Sequence, residues 1–336
     1  MVDFIQLEGG DADRILGSAG LCPEHLSDTA RRIDLKQYCS VFEEAARQTG
    51  DDNFGLHYGR QFKPDALGML GYVGMSSATV GEALRNMARV FPYHQQGSLF
   101  QLVDAGEFFR LDYQVRHGGI VRKRHDAELS LCMFLNLMRH ALGPEWAPEQ
   151  VHLENPRPAS WNEHRKVFSA PVLFEQEMNS LVFRKGMLDC PMPSRDSRLL
   201  ALLIDNMRQS TLQSLPGEET AEQCLVDEVK AQIQRMIGDG EPTMEQVANG
   251  LRIPVWTLQR RLSEQHQNFT ALVEEMRREL ATYYLRQSSV PLSEVALMLG
   301  YSESSAFSRA FRRWFGSSPR QWRDAGISHD GRASTH

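Results

Sequence analysis

The chain has little of what marks a secreted, metal-bound or membrane-spanning protein. It carries five cysteines, Cys22, Cys39, Cys132, Cys190 and Cys224, an odd number with no CxxC spacing. That pattern argues against a disulfide framework and against a zinc knuckle. Small buried hydrophobes are the ordinary reading of such thiols, and redox sensing is the rival one. No apolar run follows a basic start, because Asp3, Glu8, Asp11 and Asp13 crowd the N-terminus. Neither a secretory leader nor a membrane span is expected, and the expected home is the reducing cytoplasm. Gly55 and Gly59 stand one helical turn apart, and Gly68, Gly71 and Gly74 follow at three-residue spacing. They lack a preceding strand and a following Lys-Ser/Thr, so a phosphate loop gives way to close helix packing. His117, His125, His140, His152 and His164 lack the i, i+4 pairing of a helical metal site. With no nucleophile beside a base, the expectation is no enzyme, no metal and no cofactor.

Lysine is also missing where it matters. From Glu241 to His336 there are twelve arginines and no lysine against ten acidic residues, a balance of plus 2 that leaves minus 8 for the preceding part of a chain whose formal charge is minus 6. A net acidic protein is a poor candidate for nucleic acid until this split is seen. Arginine suits bidentate contacts with guanine edges and phosphates, and a basic part tethered to an acidic one implies different partners for each.

The densest pattern lies in the basic part, at Tyr301–Phe315. Phe307, Ala310, Phe311 and Trp314 recur at helical spacing as a buried stripe, while Ser304, Ser305, Ser308, Arg309 and Arg312 fall on other faces. Ser302 is the expected cap. The preceding segment, Leu292–Gly300, reads as a short helix ended by a glycine in the left-handed conformation. Two short helices joined by a tight turn make a helix-turn-helix. The pattern occurs once before. Thr243 opens a capping box with Gln246, Val247, Ala248 and Leu251 form an apolar face, and a turn follows at Arg252–Ile253. Pro254 sits where a first-turn proline is tolerated, and Trp256, Thr257, Gln259, Arg260 and Arg261 surround a buried Leu258 and Leu262. Between the units, Thr270–Gln287 forms an uninterrupted amphipathic helix, roughly 27 Å long at about 1.5 Å per residue. Such a rod suits two reading helices set about 34 Å, one DNA turn, apart. Glu274, Glu275 and Glu279 on it are expected to face away from DNA.

Residues 242–323 resemble the DNA-binding domain of the AraC/XylS family of bacterial transcription regulators. The matching text includes Thr257–Leu262, Arg277–Ala281, Pro291–Ala296, Leu299–Ser302, Ala306–Arg313 and Gly316–Pro319 before Trp322. The resemblance implies that Trp256, Gln259 and Arg260 of the first unit, and Ser304, Ser305, Ser308 and Arg309 of the second, face bases or nearby phosphates. Arg312 joins them as a DNA-binding candidate. It also implies promoter DNA and RNA polymerase as partners. Two positions depart from the family pattern: Arg252 replaces the usual glycine of the first turn, and Pro254 replaces a frequent capping serine.

The first part reads as an α+β domain. Helices are expected over Ile33–Gln48, Thr79–Phe91, His125–Leu142 and Trp161–Phe168, with a hairpin of Ser98–Val103 and Glu107–Val115 around Asp104-Ala-Gly106. Val151–Glu154, Pro171–Glu175 and Ser180–Arg184 read as further short strands. Its text resembles the effector domain of regulators of the ornithine-utilisation type at Phe54–Leu56, Leu67–Tyr72, Thr79–Leu84 and Phe168–Phe174. Tyr72, Phe91, Tyr93, Phe100, Phe108, Tyr113, Phe134 and Trp161 are candidates to line an apolar cavity, with Arg110 or Arg116 supplying charge, although ordinary core or surface is the simpler reading of each. A helix from Ser197 presents Leu200, Leu203 and Met207 as core or as a dimer seam.

The expected architecture is therefore an α+β sensing or dimerisation domain over 1–210 with a small, mainly antiparallel sheet, and a linker over 211–220. An all-α domain with two helix-turn-helix units occupies 221–325, and a disordered tail 326–336. The expected function is sequence-specific transcription regulation, as an activator answering a small, amino-acid-like or other metabolite effector, with a homodimer possible. The alternative keeps DNA binding but leaves the first domain only to dimerise or bind a protein.

Overall fold

The computed structural model describes residues 1–27, 33–213, 221–286 and 290–330. The backbone divides into two compact units, Met1–Arg116 with Arg122–Leu215, and His117–Val121 with Pro216–His336.

The first unit opens with three short helices, α1 (Val2–Leu7), α2 (Ala12–Ser18) and α3 (Pro23–Ser27). Glycines follow α1 and α2, and these helices pack with α4 (Leu35–Thr49) through Phe4, Ile5, Ile15, Leu16, Val41 and Phe42. Asp34 caps α4 by accepting the Gln37 N–H at 3.1 Å, and Gly50 ends it in the left-handed region. Helix α5 (Phe54–Arg60) lies close on α8 (Arg124–Leu142, after α6 and α7), and the glycine spacing explains how. A Cβ on Gly55 would stand 2.2 Å from the His125 carbonyl oxygen, and one on Gly59 would stand 2.7 Å from the Cys132 Cβ. Helices α6 (Met69–Ser76) and α7 (Val80–His94) precede the hairpin of β1 (Ser98–Ala105) and β2 (Phe108–Val115).

After α8 come β3 (Gln150–His152), α9 (Asn162–Phe168), β4 (Val172–Leu173), β5 (Asn179–Arg184) and α10 (Ser197–Gln213). The sheet order is β1-β2-β5-β3-β4, antiparallel except for the β3–β4 pair. Alternation along β2 sends Leu111 and Tyr113 into the core and Arg110 and Asp112 to the opposite face. The α+β expectation therefore holds, down to the tight hairpin.

The second unit is helical: α11 (Ala221–Met236), α12 (Met244–Gly250), α13 (Val255–Glu264), α14 (Phe269–Arg286), α15 (Leu292–Met298), α16 (Ser304–Phe315) and α17 (Pro319–Asp330). A 3-10 turn, Ile237–Asp239, follows α11. Two expectations shift at the ends of elements. Helix α10 continues through Gln213, past the start of the expected linker, and residues 214–220 lie outside those described. The last helix runs to Asp330 where a loose tail from 326 is expected. Pro319 presets helical φ, Ser318 Oγ accepts the Gln321 N–H at 3.2 Å, and Trp322 packs on Phe311 with ring centroids 6.0 Å apart. These anchors carry the helix beyond the last strong sequence signal. Among the described residues no helix is long and apolar enough to cross a membrane.

Candidate nucleic-acid interface

The first helix-turn-helix is α12 and α13. The capping box forms in full, with Thr243 Oγ1 accepting the Gln246 N–H at 3.2 Å and Gln246 Oε1 accepting the Thr243 N–H at 2.9 Å. The turn places Arg252 at φ 57, the left-handed conformation that a glycine takes at little cost. Arginine there carries a strain of about 1 kcal/mol. Arg252→Gly is therefore expected to raise stability by up to about 1 kcal/mol in denaturant unfolding, since it relieves strain while adding unfolded-chain entropy. Pro254 stands at the N-cap, in extended backbone just before the first helical residue, Val255.

Helix α13 then sorts its faces. Leu258 and Leu262 are buried, each worth about 1.5–3 kcal/mol of apolar burial. Trp256, 65% exposed, and Gln259 and Arg260 face outward. The Arg260 guanidinium lies over the Trp256 ring, 5.8 Å from its centroid. Its Nε is 3.7 Å from Glu264 Oε1, an exposed pair too long for a hydrogen bond and worth little.

The second unit, α15 and α16, turns at Gly300 with φ 75. Phe307, Ala310 and Phe311 are buried, and Tyr301 packs on Phe307 at 5.8 Å between centroids. Ser304, Ser305, Arg309 and Arg312 are exposed and Ser308 is half-buried. Ser302 does not cap α16. The helix starts at Ser304, Glu303 occupies the N-cap in extended backbone, and Ser305 Oγ donates to Glu303 Oε2 at 2.9 Å. An open cleft of about 400 Å³ beside the α16 N-terminus is lined by Ser293, Leu297 and Tyr301 together with 302–305.

The arginines of α16 divide by partner. Among the described residues neither Arg309 nor Arg312 makes a salt bridge, whereas Arg313 donates to Glu274 Oε1 at 2.8 Å. Trp314 Nε1 donates to the same oxygen at 2.5 Å. The Trp314 hydrogen bond and then Arg313 hold the Glu274 carboxyl below its ordinary pKa. Arg277 of α14 donates to the Leu299 carbonyl at 3.2 Å and stacks over Tyr301 at 5.1 Å. Glu275 pairs with Lys230 at 2.8 Å. Glu274 and Glu275 are thus engaged with helices of the unit itself. The Glu274 contacts fix how α16 is presented, and sequence reasoning missed them because the partners lie far apart in the chain.

Helix α14 joins both units in one core. Its Leu272, Val273, Met276, Leu280, Ala281 and Leu285 belong to the same buried cluster as Leu258, Leu262, Val295, Phe307 and Phe311. Every residue expected at the DNA surface lies on α13 or α16, and each of these two helices buries its opposite face in that cluster.

Four of the candidate effector residues of the first unit form a packed aromatic cluster. Phe91, Phe100, Tyr113 and Phe134 pack on one another, with centroids 5.0 Å apart for Phe91–Phe100, 4.5 Å for Phe100–Phe134 and 6.1 Å for Tyr113–Phe134. Tyr72 is exposed, and Trp161 stacks under Arg157 at 3.8 Å. Arg110 is held by Asp112 at 2.5 Å, and Asp112 also accepts Ser180 Oγ at 2.7 Å. Burial pushes the Cys132 thiol well up, so it is an inert core group.

Sequence reasoning did not foresee the buried polar groups of α8. Tyr113 Oη donates to Asp126 Oδ2 at 2.6 Å, and burial pushes Asp126 up to about 6 against that bond. Glu128, fully buried, accepts Arg124 Nε at 2.8 Å and pairs with His164 Nε2 at 2.8 Å. Burial alone would raise its pKa, but the Arg124 charge and then His164 hold it well below the carboxylate range. His125 Nδ1 is 3.9 Å from the other carboxylate oxygen and already accepts the Gly55 N–H, so it ties α5 to α8 rather than pairing with Glu128.

Comparison with known proteins agrees with this two-part geometry. The profile described as the arabinose-binding domain of AraC transcription regulator, N-terminal, matches residues 9–192, and a helix-turn-helix domain profile matches 247–325. The chain belongs to the AraC family of transcription regulators. It is 25% identical over 328 residues to the ornithine utilization regulator of Pseudomonas aeruginosa, covering 97% of this chain and 94% of that one. It is 26% identical to the HTH-type transcriptional regulator VirS of Mycobacterium tuberculosis, covering 90% of this chain and 87% of that one. The HTH-type transcriptional regulator VqsM of Pseudomonas aeruginosa is 36% identical over 89 residues, 26% of this chain and 27% of that one. These relatives are regulators rather than enzymes.

Proposed function

We propose that this DNA-binding regulator activates transcription in response to a small metabolite of amino-acid-like or related chemistry. In this reading, residues 221–325 read promoter DNA and 1–210 sense the effector. Effector binding favours one of two arrangements of the chain and so raises promoter occupancy or contact with RNA polymerase. The observation that carries the DNA half is the pair of reading helices anchored in one core through α14, each with arginine and small polar groups outward. Trp256, Gln259 and Arg260 of the first, and Ser304, Ser305, Ser308, Arg309 and Arg312 of the second, are the proposed contacts. Arg309 and Arg312 are available for bases or phosphates, while Arg313 is occupied by Glu274. The amino-acid-like effector is supported by the likeness to an ornithine utilization regulator along nearly the whole chain.

Anisotropy titration of a promoter fragment tests the DNA contacts. Affinity is expected to fall steeply with salt, and Arg309→Ala is expected to lose about 1–3 kcal/mol of discrimination at one half-site. Unchanged affinity and selectivity in Arg309→Ala would remove α16 as a base reader. Thermal unfolding across a panel of amino acids, amines and organic acids tests the effector, because a ligand stabilises the state it binds.

A further inference from the structure

We propose that a cleft between α1, α5 and the 3-10 turn Pro64–Leu67 is the effector site, and that it takes a dibasic amino acid, with two ammonium groups and one carboxylate. The inference rests on the reading that the first unit senses an amino-acid-like effector, and it names the place and the class. The cleft holds about 390 Å³, within the range of small-molecule sites. Its apolar wall is a row of rings, Phe4, Tyr58 and Phe62, with centroids 5.2 Å apart for the first pair and 5.5 Å for the second. Leu7, 74% exposed, also lines it. The walls are fixed from behind. Asn136 of α8 donates to the carbonyls of Gly59 at 3.1 Å and Phe62 at 2.8 Å, which holds the turn leaving α5. On the other side, Gly71 of α6 lies so close to Pro64 that a Cβ there would stand 1.9 Å from the Pro64 carbonyl oxygen. A site held in this way is formed before a ligand arrives, which lowers the cost of binding.

Charge selects the ligand. Asp3, Lys63 and Asp65 line the same cleft, and all three are exposed. Among the described residues none of them makes a salt bridge, whereas Lys123, Lys166, Lys185 and Lys230 each do. The Met1 amino group also lies here, but burial lowers its pKa against the pull of Asp3, so it is a weak counter-charge. The cleft thus presents two carboxylates and one side-chain ammonium, the opposite of the ligand's pattern. Each ammonium of a dibasic amino acid pairs with one aspartate and its carboxylate pairs with Lys63. The methylene chain between them lies along Phe4, Tyr58 and Phe62, whose ring faces attract a nearby cation. A diamine leaves Lys63 unmatched, a monocarboxylic acid leaves both aspartates unmatched, and an apolar amino acid leaves one.

Isothermal titration calorimetry of the full chain with L-lysine, its shorter homologues and L-arginine tests it. A dibasic amino acid is expected to bind. L-norleucine and 1,5-diaminopentane, each lacking one charged group of lysine, are expected to bind about tenfold more weakly or worse. Asp3→Asn, Lys63→Gln and Asp65→Asn should each weaken lysine binding about tenfold or more. All three side chains are exposed, so circular dichroism and ligand-free thermal unfolding should be unchanged. Lys63→Gln should not weaken 1,5-diaminopentane, whereas Asp65→Asn should, a split that general loss of structure does not produce. Failure of every dibasic amino acid to bind would overturn the proposal. So would a dibasic ligand whose affinity none of the three variants changes, although the sensing reading would then stand with its site elsewhere in the chain. Binding of only a different member of the amino-acid, amine and organic-acid panel would likewise overturn the proposal and keep that reading, and a panel with no binder would count against both.

Discussion

Replacing Gly300 with alanine is expected to destabilise the second unit by about 3 kcal/mol or more and to abolish promoter binding. Two separate causes add. A φ of 75 costs a non-glycine residue about 1 kcal/mol. The new Cβ would then stand 2.3 Å from the Ile237 carbonyl oxygen and 2.4 Å from that of Gly240, both backbone atoms that cannot swing aside. Relief requires moving either the turn between α15 and α16 or the 3-10 turn Ile237–Asp239, and both pack on the core around Val295 and Phe307. Steric overlap at a special backbone position is among the few ways a single methyl group costs so much.

Gly316 supplies the matched control. It ends α16 with φ 72, but nothing lies within 4 Å of a Cβ built there. Gly316→Ala should therefore show only the conformational cost, about 1 kcal/mol. Urea unfolding followed by tryptophan fluorescence reports on this unit through Trp256, Trp314 and Trp322, with the chain fitted to more than one transition because Trp146 and Trp161 report on the first. Equal losses in the two variants would refute the packing argument. The effect on DNA binding should follow stability, because α16 is presented to DNA through this turn and through the Glu274 contacts with Arg313 and Trp314.

What could be read from the sequence and what could not divides by distance along the chain. The capping box at Thr243, the left-handed Gly300, the hairpin at Gly106 and the glycine face at Gly55 and Gly59 are all signalled within a few residues. Each is set by local backbone sterics or by helical period, so pattern is enough. The outward set on α13 and α16 was legible for the same reason, as the complement of a buried stripe. The Arg313–Glu274–Trp314 contacts were not, because Arg313 and Arg309 look alike until a helix far away in sequence supplies a carboxylate. The expected cap at Ser302 failed on a choice between neighbouring polar residues. The extra turns of α17 depend on Trp322 finding Phe311. The aromatics of the first unit were recognisable as apolar, but whether they fill a core or line a cavity is fixed only by their packing.

A buried contact between separate helices also carries the largest effect expected in the first unit. Glu128→Ala is expected to cost about 3–5 kcal/mol at neutral pH, the loss typical of removing one partner from a buried ion pair. Glu128 sits beneath Arg124, which also reaches Asp52 at 3.2 Å and Asn53 Oδ1 at 3.0 Å on the loop before α5. On its other side it meets His164 of α9 at 2.8 Å. Its removal leaves a guanidinium largely inside the protein without its main counter-charge and frees three segments from one another. Glu128→Gln keeps the shape and some hydrogen bonds, so it should cost less.

The pH dependence separates this electrostatic account from simple loss of packing. The folded pKa of Glu128 lies below its unfolded value near 4.5, so between the two the unfolded chain binds the proton and the folded chain does not. Stability then rises with pH over that interval. The contribution of Glu128 is fully present above about pH 5 and is lost as the pH falls through the folded pKa. The gap between parent and Glu128→Ala in urea unfolding should accordingly narrow as the pH falls below 4.5. Asp126 has the reverse sign. Raised from 3.8 to about 6 by burial, it favours the folded state below its unfolded pKa, and that contribution fades as the pH rises through 6. Asp126 is common to parent and variant, so its titration cancels in the difference. A gap that stays constant through the acid range would mean that Glu128 acts through its volume, not its charge.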